Sequence, residues 1–107
     1  MQAPEEVLHA LADPLRRQIL SVLARDGGAT STSLAAALPV TRQAVAKHLA
    51  ALERAGLVRG HRAGREVRYE ADLGPLLRTT RWLDELAAQW EHRLSAIKQL
   101  AEDERHP

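Results

Sequence analysis

The chain has no cysteine and no phenylalanine, and aromatic residues make up 3% of its 107 positions. Without thiols, disulfides, thiolate metal sites and cysteine nucleophiles are excluded together, which suits a reducing compartment such as the cytoplasm. With only Tyr69, Trp82 and Trp90 available, a stacking platform for unpaired bases has little to build on, which argues against single strands and RNA. Long apolar runs are missing too. Charged residues interrupt every leucine-rich stretch, residues 11–23 included, so neither a membrane span nor a signal-peptide core is expected. Nor is there a nucleophile with an acid-base partner, a phosphate-cradling glycine loop or a metal-ligand cluster, so the expectation is a non-enzyme with no catalytic residue and no cofactor.

What the chain does have is an uneven charge. The formal net charge is +1, yet residues 41–68 hold Arg42, Lys47, Arg54, Arg59, Arg62, Arg65 and Arg68 against only Glu53 and Glu66, a local surplus of five. The flanking segments are both net acidic. Such a concentration fits the footprint of a polyanion, and it also fits an ordinary solvated surface; charge alone does not separate the two.

The pattern of apolar residues places that basic stretch in a fold. Val7, Leu8 and Leu11 are spaced helically within residues 5–12. In "DPLRRQILSVLARDGG" Asp13 can cap a second helix, Pro14 suits its first position and Gly27-Gly28 end it, with Leu15, Ile19, Val22 and Leu23 as the buried stripe. A third helix of about two turns opens at Thr30 or Ser31 and stops before Pro39. The next opens at Thr41, so a short helix, a tight turn and a second helix form a helix-turn-helix. In that second helix Val45, Leu49 and Leu52 face the core and Gly56 terminates it. Arg42, Gln43, Ala46, Lys47 and Ala50 then point outward, the alanines allowing close approach.

After it, Leu57-Val58 and the alternating Val67, Tyr69 and Ala71 predict two short strands around a turn at Ala63-Gly64, flanked by Arg62, Arg65 and Arg68. Helix-turn-helix plus basic hairpin is a winged helix. The remainder, residues 73–101 with Asp72 as cap, reads as one helix in which Leu76, Leu83, Trp90 and Ile97 recur every seven residues and Leu86, Ala87, Leu94 and Leu100 fill in between. Either this stripe folds back on its own domain or it packs, with the first helix at about 4–12, against a second copy; its length favours the second copy. The expected interface residues are Leu8, Leu76, Leu83, Leu86, Trp90, Leu94 and Ile97. The end, "EDERHP", reads as a frayed tail. The whole is expected to be a single mainly α (α+β) domain, residues 1–107: a winged helix-turn-helix with a two-stranded wing and a long C-terminal dimerisation helix.

The outward face has chemistry for duplex DNA. Arginine pairs with guanine and glutamine with adenine in a major groove, so Arg42 and Gln43 are the candidate base readers. Thr41 and Lys47 suit phosphate contacts, helped by the helix dipole. Arg62 and Arg65 would reach the backbone or a neighbouring minor groove. His48 borders this face, with packing and a phosphate contact both open. Trp82 and Trp90 are read as helix packing.

Over "STSLAAALPVTRQAVAKHLAALERAGLVRGHRAGREVRYEAD" the sequence resembles the ArsR/SmtB family of bacterial winged-helix transcription regulators. "LADPLRRQIL" is similar to that family's second-helix opening, and "AVAKHLAALERAGLV" with "GREVRY" to its recognition helix and wing. The resemblance covers roughly residues 5–100 and implies a dimeric repressor of its own or a neighbouring operon, pairing through its first and last helices. It places Arg42, Gln43, Ala46 and Lys47 at the major groove.

Many family members sense metals, and here the pattern departs. The third helix reads "SLAAAL", with no thiol; Asp84 is followed by Leu86 and His92 by Ser95 where ligand pairs are required, and His9, His61 and His106 are scattered. No metal site is expected, as in a subgroup lacking the metal-binding cysteines. A small-molecule effector between the last helices, near Trp82 and Trp90, is one possibility and a plain packed interface the other. The expectation is thus a sequence-specific DNA-binding regulator; the alternative is a winged-helix protein-interaction module.

Overall fold

The structure, a computed structural model, describes residues 4–105. Helix α1 (Pro4–Leu11) carries Glu5 and Glu6 in its first turn, where acids favour the helix dipole. Asp13 then begins the next helix by accepting from the amides of Leu15 at 2.8 Å and Arg16 at 3.4 Å, and Pro14 follows where no amide donor is needed. Helix α2 (Pro14–Asp26) stops where Gly27 takes φ 72°, a left-handed conformation open to glycine without steric cost.

A short strand, β1 (Ala29–Thr30), leads directly into α3 (Ser31–Ala37). Thr30 and Ser33 cap that helix reciprocally: Ser33 N–H donates to Thr30 Oγ1 at 3.1 Å and Thr30 N–H to Ser33 Oγ at 3.0 Å. Helix α4 (Arg42–Arg54) opens at Thr41, and β2 (Val58–Ala63) and β3 (Glu66–Ala71) form the wing. The final helix, α5, spans Gly74–Arg105.

Two features of the sheet differ from expectation. The wing is part of a three-stranded antiparallel sheet in the order β1-β3-β2, because Ala29 and Thr30 pair with Tyr69 and Arg68. Two residues carry no alternation by which to recognise a strand; only the distant β3 makes them one. The hairpin turn lies at Gly64-Arg65, one residue later than Ala63-Gly64, since Ala63 pairs with Glu66. Gly64 supplies φ 67° while Arg65 stays at negative φ, as in the II′ turns that match the twist of paired strands.

The core lies where α1 to α4 meet beneath the sheet. Val7, Ile19, Leu23, Leu34, Val45, Leu49, Leu52 and Leu57 are its largest fully buried side chains. Leu57, expected in the wing, instead sits at its root inside the core. Leu15 and Val22 are half-buried while Leu20 is buried, because α2 is central and packs against both α4 and the sheet. Leu52 is fully enclosed, so Leu52→Ala leaves a cavity and is expected to cost about 2–5 kcal/mol, read as a lower denaturant midpoint at unchanged slope.

Helix α5 leaves this body almost at once. Pro75 and Thr79 are buried and Leu76 packs on the core, but Thr80 to Glu104 are all exposed. The radius of gyration, 20.1 Å, and the 77 Å long axis contrast with about 13 Å expected for a compact chain of this length. The helix does not fold back on its own domain. It also continues through Glu102–Arg105, where a frayed tail was expected; the i to i−4 ladder simply runs on where neither proline nor glycine interrupts it. His106, which the sequence places at the surface, lies outside the described residues.

Asp72 fastens the root of α5 to the wing. Its Oδ1 accepts from Gly74 N–H at 3.0 Å and its Oδ2 from the Arg59 guanidinium at 2.9 Å. The Gly74 amide first, then Arg59, hold the carboxyl pKa below its ordinary value. A group so depressed stabilises the fold above the usual carboxylate range and loses that contribution as pH falls through its lowered pKa. Asp72→Asn is therefore expected to be less stable than wild type near neutral pH, with the difference closing in acid; urea midpoints at the two pH values check it.

Candidate nucleic-acid interface

The burial of Val45, Leu49 and Leu52 fixes the orientation of α4, and Thr41, Arg42, Gln43, Ala46, Lys47 and Ala50 all lie exposed on its other side. Thr41 Oγ1 accepts from Ala44 N–H at 3.1 Å, which leaves the threonine hydroxyl hydrogen to donate elsewhere. Intrahelical bonding starts at Val45 N–H, which donates to Thr41 O, so the amides of Arg42 and Gln43 remain at the open end. No acid stands in the first turn, and free amides with an unopposed dipole make that end attractive to an anion.

The wing brings a second cation to the same place. Arg42 and Arg65 line one open cleft of about 270 Å³, together with Thr30, Ser31, Thr32, Tyr69 and one acid, Glu66. Arg62, paired with Val67 beside the turn, is exposed as well. Among the described residues no ion pair engages Arg42, Lys47, Arg62 or Arg65, and all four are exposed, with Glu66 the one acid that shares their cleft. The other members of the basic stretch go elsewhere. Arg59 is paired with Asp72 at 2.9 Å, and Arg68 is half-buried beside Gly28, where an added Cβ would meet its Nε at 3.1 Å. Arg54 stands at the far end of α4.

His48 is placed differently from its neighbours. Its side chain is 15% exposed, with Nδ1 4.0 Å from Asp13 Oδ2, and Nδ1 accepts from Arg16 Nε at 3.2 Å. It therefore ties α4 to the start of α2 and has only an edge on the outer face. No periodicity could reveal a partner 32 positions away. Ser31 and Thr32 also line the cleft, whereas "TSTS" reads in sequence only as a helix start.

The expected interface residues are laid out along α5. Leu83, Leu86, Trp90, Leu94 and Ile97 are exposed and so is Leu8 on α1, whereas Leu76 is claimed by the chain's own core. Arg93 lies over the Trp90 ring at 5.7 Å. Among the described residues no group of three or more His, Cys, Asp or Glu is arranged to hold a metal, and no helix is long and apolar enough to cross a membrane.

Residues 11–61 match the family model described as a helix-turn-helix domain. The chain is 36% identical over 103 residues to the HTH-type transcriptional regulator Rv2034 of Mycobacterium tuberculosis, an overlap of 96% of this chain and 92% of that relative. Its fold is similar to that of an ArsR-like transcriptional regulator from Rhodococcus sp. RHA1, with TM-score 0.84, 47% identity and 92% of each chain covered. It is also similar to the homodimeric winged helix-turn-helix DNA-binding domain Mb0332 from Mycobacterium bovis, with TM-score 0.60 and 28% identity over 96% of this chain and 81% of that one. A basic helix end beside a wing and likeness along nearly the whole chain agree: this protein belongs to the ArsR/SmtB family of winged-helix, DNA-binding transcriptional regulators.

Proposed function

We propose that the chain, a single domain, acts in the cytoplasm as a dimeric repressor of its own or a neighbouring operon. Two copies pair along α1 and α5 and set their α4 helices into successive major grooves of an inverted repeat, roughly 34 Å apart. Arg42 and Gln43 read base edges, Ala46 lets the helix seat closely, and Thr41 and Lys47 hold phosphates. Arg62 and Arg65 follow the backbone from the wing, and His48 touches it at the margin. Neither a metal nor another cofactor is required for this binding. The observation that carries this reading is the set Arg42, Lys47, Arg62 and Arg65 around the open end of α4, exposed and without an ion pair among the described residues.

Footprinting on the DNA upstream of the chain's own gene locates the operator, and two substitutions then separate the roles. Lys47→Ala is expected to weaken operator and scrambled duplex alike. Gln43→Ala is expected to relax preference at one position in each half-site, by about 1–3 kcal/mol. Unchanged operator binding in both variants refutes the assignment of this face. Equal affinity of the wild type for operator and scrambled duplex would instead favour a protein-interaction module.

A further inference from the structure

Where α1, the start of α2 and the end of α4 meet, the surface folds inward around a hollow of about 290 Å³. Its floor is alanine: Ala10 and Ala55, both buried, with Ala51 beside them. Around the rim stand Arg16, Arg54, His9 and Glu6. Two arginines thus line one depression whose buried part is alanine, and among the described residues no ion pair joins either of them to Glu6 or to another acid. Among the described residues the Arg16 side chain donates only through its Nε, to His48, and its terminal nitrogens engage no acceptor there.

Cations gathered over an apolar floor are relieved by an anion that bridges them, and the guanidinium fork matches carboxylate and phosphate geometry. The space approaches the lower end of small-molecule sites, about 300–1,000 Å³. Among the arginines and acids of the lining, Arg16 and Arg54 against Glu6 leave a surplus of one positive charge, which suits a compact anion and not a polyanion. We infer that this hollow binds a small organic anion, its carboxylate or phosphate held between Arg16 and Arg54 and its hydrocarbon body resting on the three alanines. Because Arg16 also holds His48, one position from Lys47, an occupant bears on how α4 is seated.

The binding does not depend on the DNA role and is tested without DNA. Benzoate and phenyl phosphate are titrated calorimetrically into the full chain, with benzamide as the uncharged control. At least one of the two anions is expected to saturate and benzamide not to bind. Arg54→Ala, at an exposed position, is expected to leave the unfolding midpoint nearly in place and to weaken the anion about tenfold or more. Arg16→Lys keeps the charge, loses the fork and is expected to weaken it as well. The inference is overturned if neither anion saturates by about 10 mM, if benzamide binds as tightly as benzoate, or if Arg54→Ala binds like wild type.

Discussion

Raising salt from about 50 to about 200 mM is expected to weaken operator binding by roughly 10³ to 10⁵, the loss that goes with six to ten phosphate contacts per dimer. The magnitude follows from where the cations stand. Arg42, Lys47, Arg62 and Arg65 are exposed and unpaired within the described residues, so each can displace condensed counterions without first leaving an acid of its own chain. Arg59, already bonded to Asp72, should contribute little. Lys47→Ala should therefore lower the slope of log affinity against log salt by about two, one contact in each half-site, while Arg59→Ala should leave it nearly unchanged. A slope near zero for the wild type, measured by fluorescence anisotropy, defeats the phosphate assignment.

Charging the stripe on α5 should have the other large effect. Leu83, Leu86, Trp90, Leu94 and Ile97 lie at helical spacings of three and four and are 37–62% exposed in the single chain. A contiguous exposed apolar face of this kind is the mark of an interaction surface, which the proposed pairing would cover. The double substitution Leu86→Glu with Leu94→Glu is expected to give monomers in sedimentation and to reduce operator affinity by about 10² to 10⁴, the gain that linking two modest binding sites provides. Neither residue belongs to the core around Leu34, Leu49 and Leu52, so the circular dichroism of the winged domain should persist. A variant that stays dimeric and binds normally refutes pairing through α5.

Local chemistry made much of this architecture legible in the sequence. Asp13, Pro14 and Gly27 bound α2, Thr41 opens α4 and the Val45, Leu49, Leu52 spacing orients it; each signal acts within a few residues. What could not be read depends on distant partners. β1 is a strand only because β3 lies beside it, and Leu20 is buried because α2 has neighbours on two sides. The inward tether of His48 needs Arg16. Which residues face outward on α4 was readable, since burying one side of a helix exposes the other. That Arg65 joins Arg42 in one cleft was not, because the reach of the wing is set by sheet pairing across the domain.

The clasp of Arg59, Asp72 and Gly74 sits at the base of a rod about 48 Å long. Leverage magnifies small rotations there: a tilt of about 5° moves the far tip by about 4 Å, close to the axial rise of one base pair. In the proposed assembly, the angle held at this pivot sets how each winged body is carried on the paired rods.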